Sequence, residues 1–110
     1  MTIVHIVLFG FKPDATPAQV AKACADMLNL ANTCLHPETK KPYIRSTMGG
    51  KNNSKEGLAG DTTHAFVMWF ESEADRDYYV EKDPAHQAFK QSLAGIIQSA
   101  CVVDFETGVF

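Results

Sequence analysis

"TIVHIVLFGF", residues 2–11, decides how this chain folds. Its β-branched and aromatic side chains mark a strand, and strand side chains alternate between two faces. Ile3, Val7, Phe9 and Phe11 fall on one face together with His5, while Val4, Ile6 and Leu8 fall on the other. Both faces are therefore apolar. "THAFVMWFE", residues 63–71, repeats the pattern, with Ala65, Val67 and Trp69 opposite Phe66, Met68 and Phe70, and with His64 on the latter side. Strands of this kind need cover on both faces.

The segments between them supply cover for one. Thr16, Pro17 and Gln19 spell a helix start with a capping box, and Val20, Cys24, Met27 and Ala31 follow at helical spacing. After the polar stretch "HPETKKP", a second strand is predicted over 43–48, and "GGKNNSKEGLAGD" reads as loop. Ser72 caps a short predicted helix over 73–81, with Glu73 and Asp75 in its first turn. Asp83 and Pro84 open another, whose expected apolar stripe is Phe89, Leu93, Ile96 and Ile97. "ACVVDFETGVF", residues 100–110, closes the chain as a fourth strand.

Strand, helix, strand, strand, helix pair, strand is the split βαβ order of an α+β, ferredoxin-like fold, βαββαβ, with a four-stranded antiparallel sheet. The first and third strands lie side by side at its centre. Helices in this topology cover one face only, and an open apolar face of that size is rare on a monomer. The expected partner is a second copy packing sheet to sheet, so a homodimer is predicted.

Composition bounds the rest. The 110 residues form one domain, 1–110, and a net charge of −3 offers no basic stripe for nucleic acid. No apolar run approaches membrane-spanning length, and "MTIVHIVLFGF" has neither the basic start nor the cleavage site of a signal peptide. Three cysteines without CxxC spacing fit free thiols in a reducing compartment, so a cytoplasmic setting is expected.

Candidate chemistry centres on "DPAHQAF", residues 83–89. His86 is the third residue of its helix, where the helix dipole disfavours the imidazolium and keeps the ring able to accept a proton. A base needs a partner on its other nitrogen. Asp104, an acid inside an apolar strand, is the candidate, and Tyr78 or Tyr79 could supply a phenol. The plainer reading makes the tyrosines amphipathic packing and turns Asp104 to water at a strand end. His5 and His64 become neighbours beneath the helices if both point that way, whereas His36 reads as a surface loop residue. No two histidines have metal-ligand spacing, so no metal site is expected. Neither a GxSxG elbow nor GxxxxGK[ST] occurs, which removes support for nucleophilic hydrolysis and for a phosphate loop.

Taken together, "HIVLFGFK", "THAFVMWFES", "DPAHQAF" and "VVDFETG" resemble the stress-responsive A/B barrel (Dabb) family over nearly the whole chain. The resemblance implies a dimeric α+β barrel. It also implies, by likeness to a plant polyketide cyclase of that family, intramolecular aldol chemistry on a poly-β-keto or related carbonyl substrate, with no metal or organic cofactor. On that likeness His86 is the base, Asp104 orients it, Tyr78 follows an aspartate as the family's tyrosine does, and His5 and His64 shape the pocket. The spacing from Tyr78 to His86 is one residue longer than the cyclase's, which leaves Tyr78 and Tyr79 both open. Met27 stands where the cyclase has a pocket tyrosine, so a different ligand is expected. Two other readings stand beside this one. The first is a non-catalytic stress-associated dimer that binds a small carbonyl or aromatic molecule; the second is a haem or quinol monooxygenase of the wider superfamily.

Overall fold

The computed structural model describes residues 2–110. Its elements are β1 (Ile3–Phe11), α1 (Pro17–Thr33), β2 (Ser46–Lys51), β3 (His64–Phe70), α2 (Glu73–Glu81), α3 (Pro84–Ser92) and β4 (Ile97–Glu106). The strands form one antiparallel sheet in the order β2-β3-β1-β4, so β1 and β3 are central, as predicted, and the fold is α+β and ferredoxin-like. α1 starts where its sequence says. The Thr16 hydroxyl accepts from the Gln19 amide, and the Gln19 side chain accepts in return from the Thr16 amide.

Val7, Phe9, Phe66, Met68 and Phe70 bury the helix side of the sheet against Ala23, Met27 and Leu30 of α1, Tyr79 of α2 and Phe89 of α3. The opposite side carries Val4, Ile6, Leu8, Val67 and Trp69 from the central strands, none of them fully buried. Register places Val103 of β4 beside Ile6 and Met48 of β2 beside Val67 on that same side, and both are exposed. The two-faced pattern of β1 thus yields one packed face and one apolar face without cover in the single chain.

Two boundaries differ from the sequence reading. β2 runs over Ser46–Lys51 rather than 43–48, because Tyr43 and Ile44 leave the strand path and sink into the core. Gly49, read as loop, pairs with Phe66 instead; a Cβ there would lie 2.3 Å from a Phe66 ring carbon, so only glycine lets the strands approach. The other difference lies at the end of α3. The helix stops at Ser92, and Gly95 at φ +85° turns the chain so that Ile97 begins β4. The expected Phe89–Leu93–Ile96–Ile97 stripe is therefore split between a helix, a turn and a strand. Among the described residues no helix is long and apolar enough to cross a membrane.

Candidate functional site

A cavity of about 540 Å³ opens between α2, α3 and the β1–β4 pair. Its walls are mostly apolar, with Phe9, Met27, Phe89 and Val102 among them, and two imidazoles, His5 and His86, face into it. That size and that mix of an apolar wall with a few polar groups suit a small organic ligand.

His5 comes from the middle of β1 and is 3% exposed. Antiparallel register sets Asp104 of β4 directly across from it, so the two side chains share a face. Its Nδ1 donates to Asp104 Oδ1 at 2.6 Å. The other carboxylate oxygen accepts from Arg76 Nη1 at 3.0 Å, and Arg76 Nε is bound in turn to Asp77 Oδ1 at 2.7 Å. Because a carboxylate only accepts, that bond puts a proton on Nδ1, and in the neutral form of the ring the lone pair is on Nε2.

His86 is held by the start of α3. Asp83 caps that helix, its Oδ1 accepting from the amides of Ala85 at 2.9 Å and His86 at 3.4 Å. Oδ2 of the same residue accepts from the Tyr43 hydroxyl at 2.5 Å. The imidazole stacks on the Tyr79 ring, centroids 3.9 Å apart, and its Nδ1 donates to the Tyr79 carbonyl at 2.7 Å. That bond fixes the tautomer with Nε2 as acceptor. Burial pushes the His86 pKa below the ordinary histidine value, and the charge of Lys90, with that of His5 when it is protonated, pushes the same way, against the Tyr79 carbonyl and Asp83. The ring is neutral at pH 7 and competent to take a proton.

Several expectations are corrected by this geometry. Asp104 is bonded to His5 and not to His86, because β4 pairs with β1 and its carboxylate is committed there; a backbone carbonyl orients His86 instead. The tyrosine at the cavity is Tyr79, which is 1% exposed, whereas Tyr78 packs against Tyr43 with ring centroids 5.8 Å apart. Burial raises the Tyr79 phenol pKa, so it stays a donor at neutral pH. His5 and His64 do face the helices together but are not neighbours. His64 pairs with Phe9, four residues along β1 from His5, roughly 13 Å at strand rise. There it touches Thr63 Oγ1 at 2.9 Å and the Phe11 ring at 5.0 Å, away from the cavity. Met27 lines the cavity.

Arg76, Tyr43 and Lys90 went unnoticed in the sequence. The first two have no local signal, since each meets its partner across tens of residues. Lys90 was legible, being four positions after His86 and hence on the same helix face. Among the described residues no group of three or more His, Cys, Asp or Glu side chains is placed to hold a metal ion.

A family model described as Stress responsive A/B Barrel Domain matches residues 3–107. Among solved structures, the chain is similar to a protein of Arabidopsis thaliana, At3g17210, at 26% identity over 98% of this chain and 97% of that one, TM-score 0.82. It is similar also to a dimeric ferredoxin-like protein of unknown function from Thermobifida fusca, at 26% identity over 96% and 90% of the two chains, TM-score 0.70. The hydroxynitrile lyase of Passiflora edulis superposes with TM-score 0.83 over 99% of this chain and 96% of that one, and its 22% identity speaks for the fold alone. No curated protein matches the sequence.

Proposed function

This chain belongs to the stress-responsive A/B barrel domain family, and on that premise we propose that it is a cofactor-independent, cyclase-like enzyme acting on a β-keto or related carbonyl substrate. The observation that carries the reading is the pair of imidazoles in one apolar cavity, each with Nδ1 tied down and Nε2 left as the acceptor. His86 Nε2 removes a proton from a carbon flanked by carbonyls. Tyr79 donates its hydroxyl hydrogen bond to the enolate oxygen that forms, and placed donors of this kind supply much of the rate in such reactions. The enolate carbon then attacks a second carbonyl of the same molecule. One C–C bond forms, and the resulting alkoxide takes back the proton held on His86. His5, braced by Asp104 and Arg76, accepts a hydrogen bond from a substrate hydroxyl or enol at the cavity floor.

The same proposal takes 1–110 as one domain working as a homodimer in a reducing, cytoplasmic setting. The uncovered apolar sheet face supports the dimer, as do neighbours described as dimeric, and three free thiols are consistent with the setting. The test is deuterium uptake, followed by NMR, at the carbon between the carbonyls of a linear β-diketone bearing an alkyl tail. Wild-type protein should accelerate uptake and His86→Gln should not. Equal acceleration by both would refute the base assignment. A ligand-binding dimer without turnover is the second reading, and the absence of a carboxylate partner on His86 is what favours it. That reading predicts tail-dependent binding of the diketone with no acceleration of exchange by either protein.

A further inference from the structure

One turn beyond His86 on α3, Lys90 lines the same cavity, and nothing in the proton transfer above uses it. Exposure orders the three basic groups from floor to rim: His5 is buried, His86 half-buried, Lys90 exposed. The protein as a whole is acidic, with a net charge of −3. Yet among the described residues no Asp or Glu lines this cavity, because Asp104 faces His5 and Arg76 outside it. Lys90 takes part in no ion pair among the described residues. Lys90 carries the one ammonium or guanidinium group among the described residues lining this mostly apolar chamber, whose buried wall includes Phe9, Met27 and Phe89.

We propose that the ligand of this cavity is an amphipathic carboxylate, with its anionic end on Lys90 Nζ at the rim and its apolar or keto-bearing body running inward past His86 to His5. The inference rests on reading the cavity as a small-molecule site and adds the ligand's charge, polarity and direction. A single exposed ammonium, with no arginine fork and no other cation beside it, matches the charge of one carboxylate; phosphate recognition draws on several convergent donors. The order of exposure gives the direction: the end that stays hydrated binds at the rim, and the reacting carbons reach the buried imidazoles. The competing role for Lys90 is to complement the dipole at the end of α3, where it lies in the last turn. That role changes stability and predicts no ligand preference.

The experiment compares decanoate with decanol, two probes of one chain length that differ in charge. Titration calorimetry follows binding to the full chain, and the His86 imidazole NMR signals report that binding is in this cavity. Wild type should bind decanoate about fivefold more tightly than decanol at low salt, the upper range for an exposed ion pair, and salt should erode the preference. Lys90→Gln should abolish it and Lys90→Glu reverse it, with decanol affinity unchanged throughout. Equal affinity for both probes in wild type, or a preference that survives Lys90→Gln, overturns the inference and leaves the His86 chemistry standing. Failure of both probes to bind also overturns it. The diketone exchange assay then tells separately whether the catalytic reading falls with it.

Discussion

Asp104→Asn separates the two possible owners of that carboxylate. The substitution keeps shape and removes charge, so it weakens the bonds to His5 Nδ1 (2.6 Å) and Arg76 Nη1 (3.0 Å) together. A hydrogen bond to a charged group contributes about 1.5–3 kcal/mol. The His5 bond counts near the top of that range because the ring is 3% exposed, whereas Arg76 stays partly solvated and its bond is screened. Asparagine retains a weaker neutral contact, which leaves a net loss of about 2 kcal/mol. Urea unfolding at fixed protein concentration should show this as a midpoint lowered by roughly 1 M, taking a slope of about 2 kcal/mol per molar. Nitrogen-edited NMR of the imidazoles provides the sharper readout. The His5 resonances should move, since the acceptor that fixes its tautomer has changed. The His86 titration midpoint should not fall, because Asp104 is not among the charges acting on it directly, and a less charged His5 could only raise it. A His86 midpoint lowered by about one unit would mean that the carboxylate acts on His86 after all, and the assignment of Asp104 to His5 would be wrong.

Tyr43→Phe removes the donor to a buried carboxylate oxygen of Asp83 and should cost about 1–3 kcal/mol, measured by thermal or urea unfolding; an unchanged midpoint would show that water satisfies Asp83 instead. Burial lowers the His86 pKa, so the folded state binds fewer protons there than the unfolded chain does. Its contribution is complete above the ordinary value of 6.5 and is lost as pH falls through the lowered folded value. Unfolding at pH 7.5 and pH 5, compared between wild type and His86→Gln, isolates this from His64, which burial shifts the same way; a difference between the proteins that ignores pH would refute it. Val103 is 49% exposed in the single chain on the uncovered sheet face. Val103→Asp should therefore leave folding intact while halving the mass seen by light scattering, and an unchanged mass would place the dimer contact elsewhere.

The sequence by itself determined the elements and their order. Caps, strand alternation and helical spacing are local properties, so Thr16, Ser72 and Asp83 announce their helices whatever lies across the molecule. Alternation also put His5 on the face of Ile3 and Val7 and His64 on the face of Phe66 and Met68, and the split βαβ order put β1 beside β3; that both faces meet the helices was decided by the packing. It failed where an element's path depends on a distant neighbour. Gly49 reads as loop until Phe66 lies across from it, and Ile97 reads as helix until Gly95 turns the chain. The site divided along the same line. His86 was legible because its helix start is written beside it. The ownership of Asp104 was not, because parity gives a strand residue's face but not its partner, and the partner is set by the β1–β4 register. Tyr79 over Tyr78 was likewise decided only by how α2 packs: one ring stacks on His86 beside the cavity, and the other turns to Tyr43.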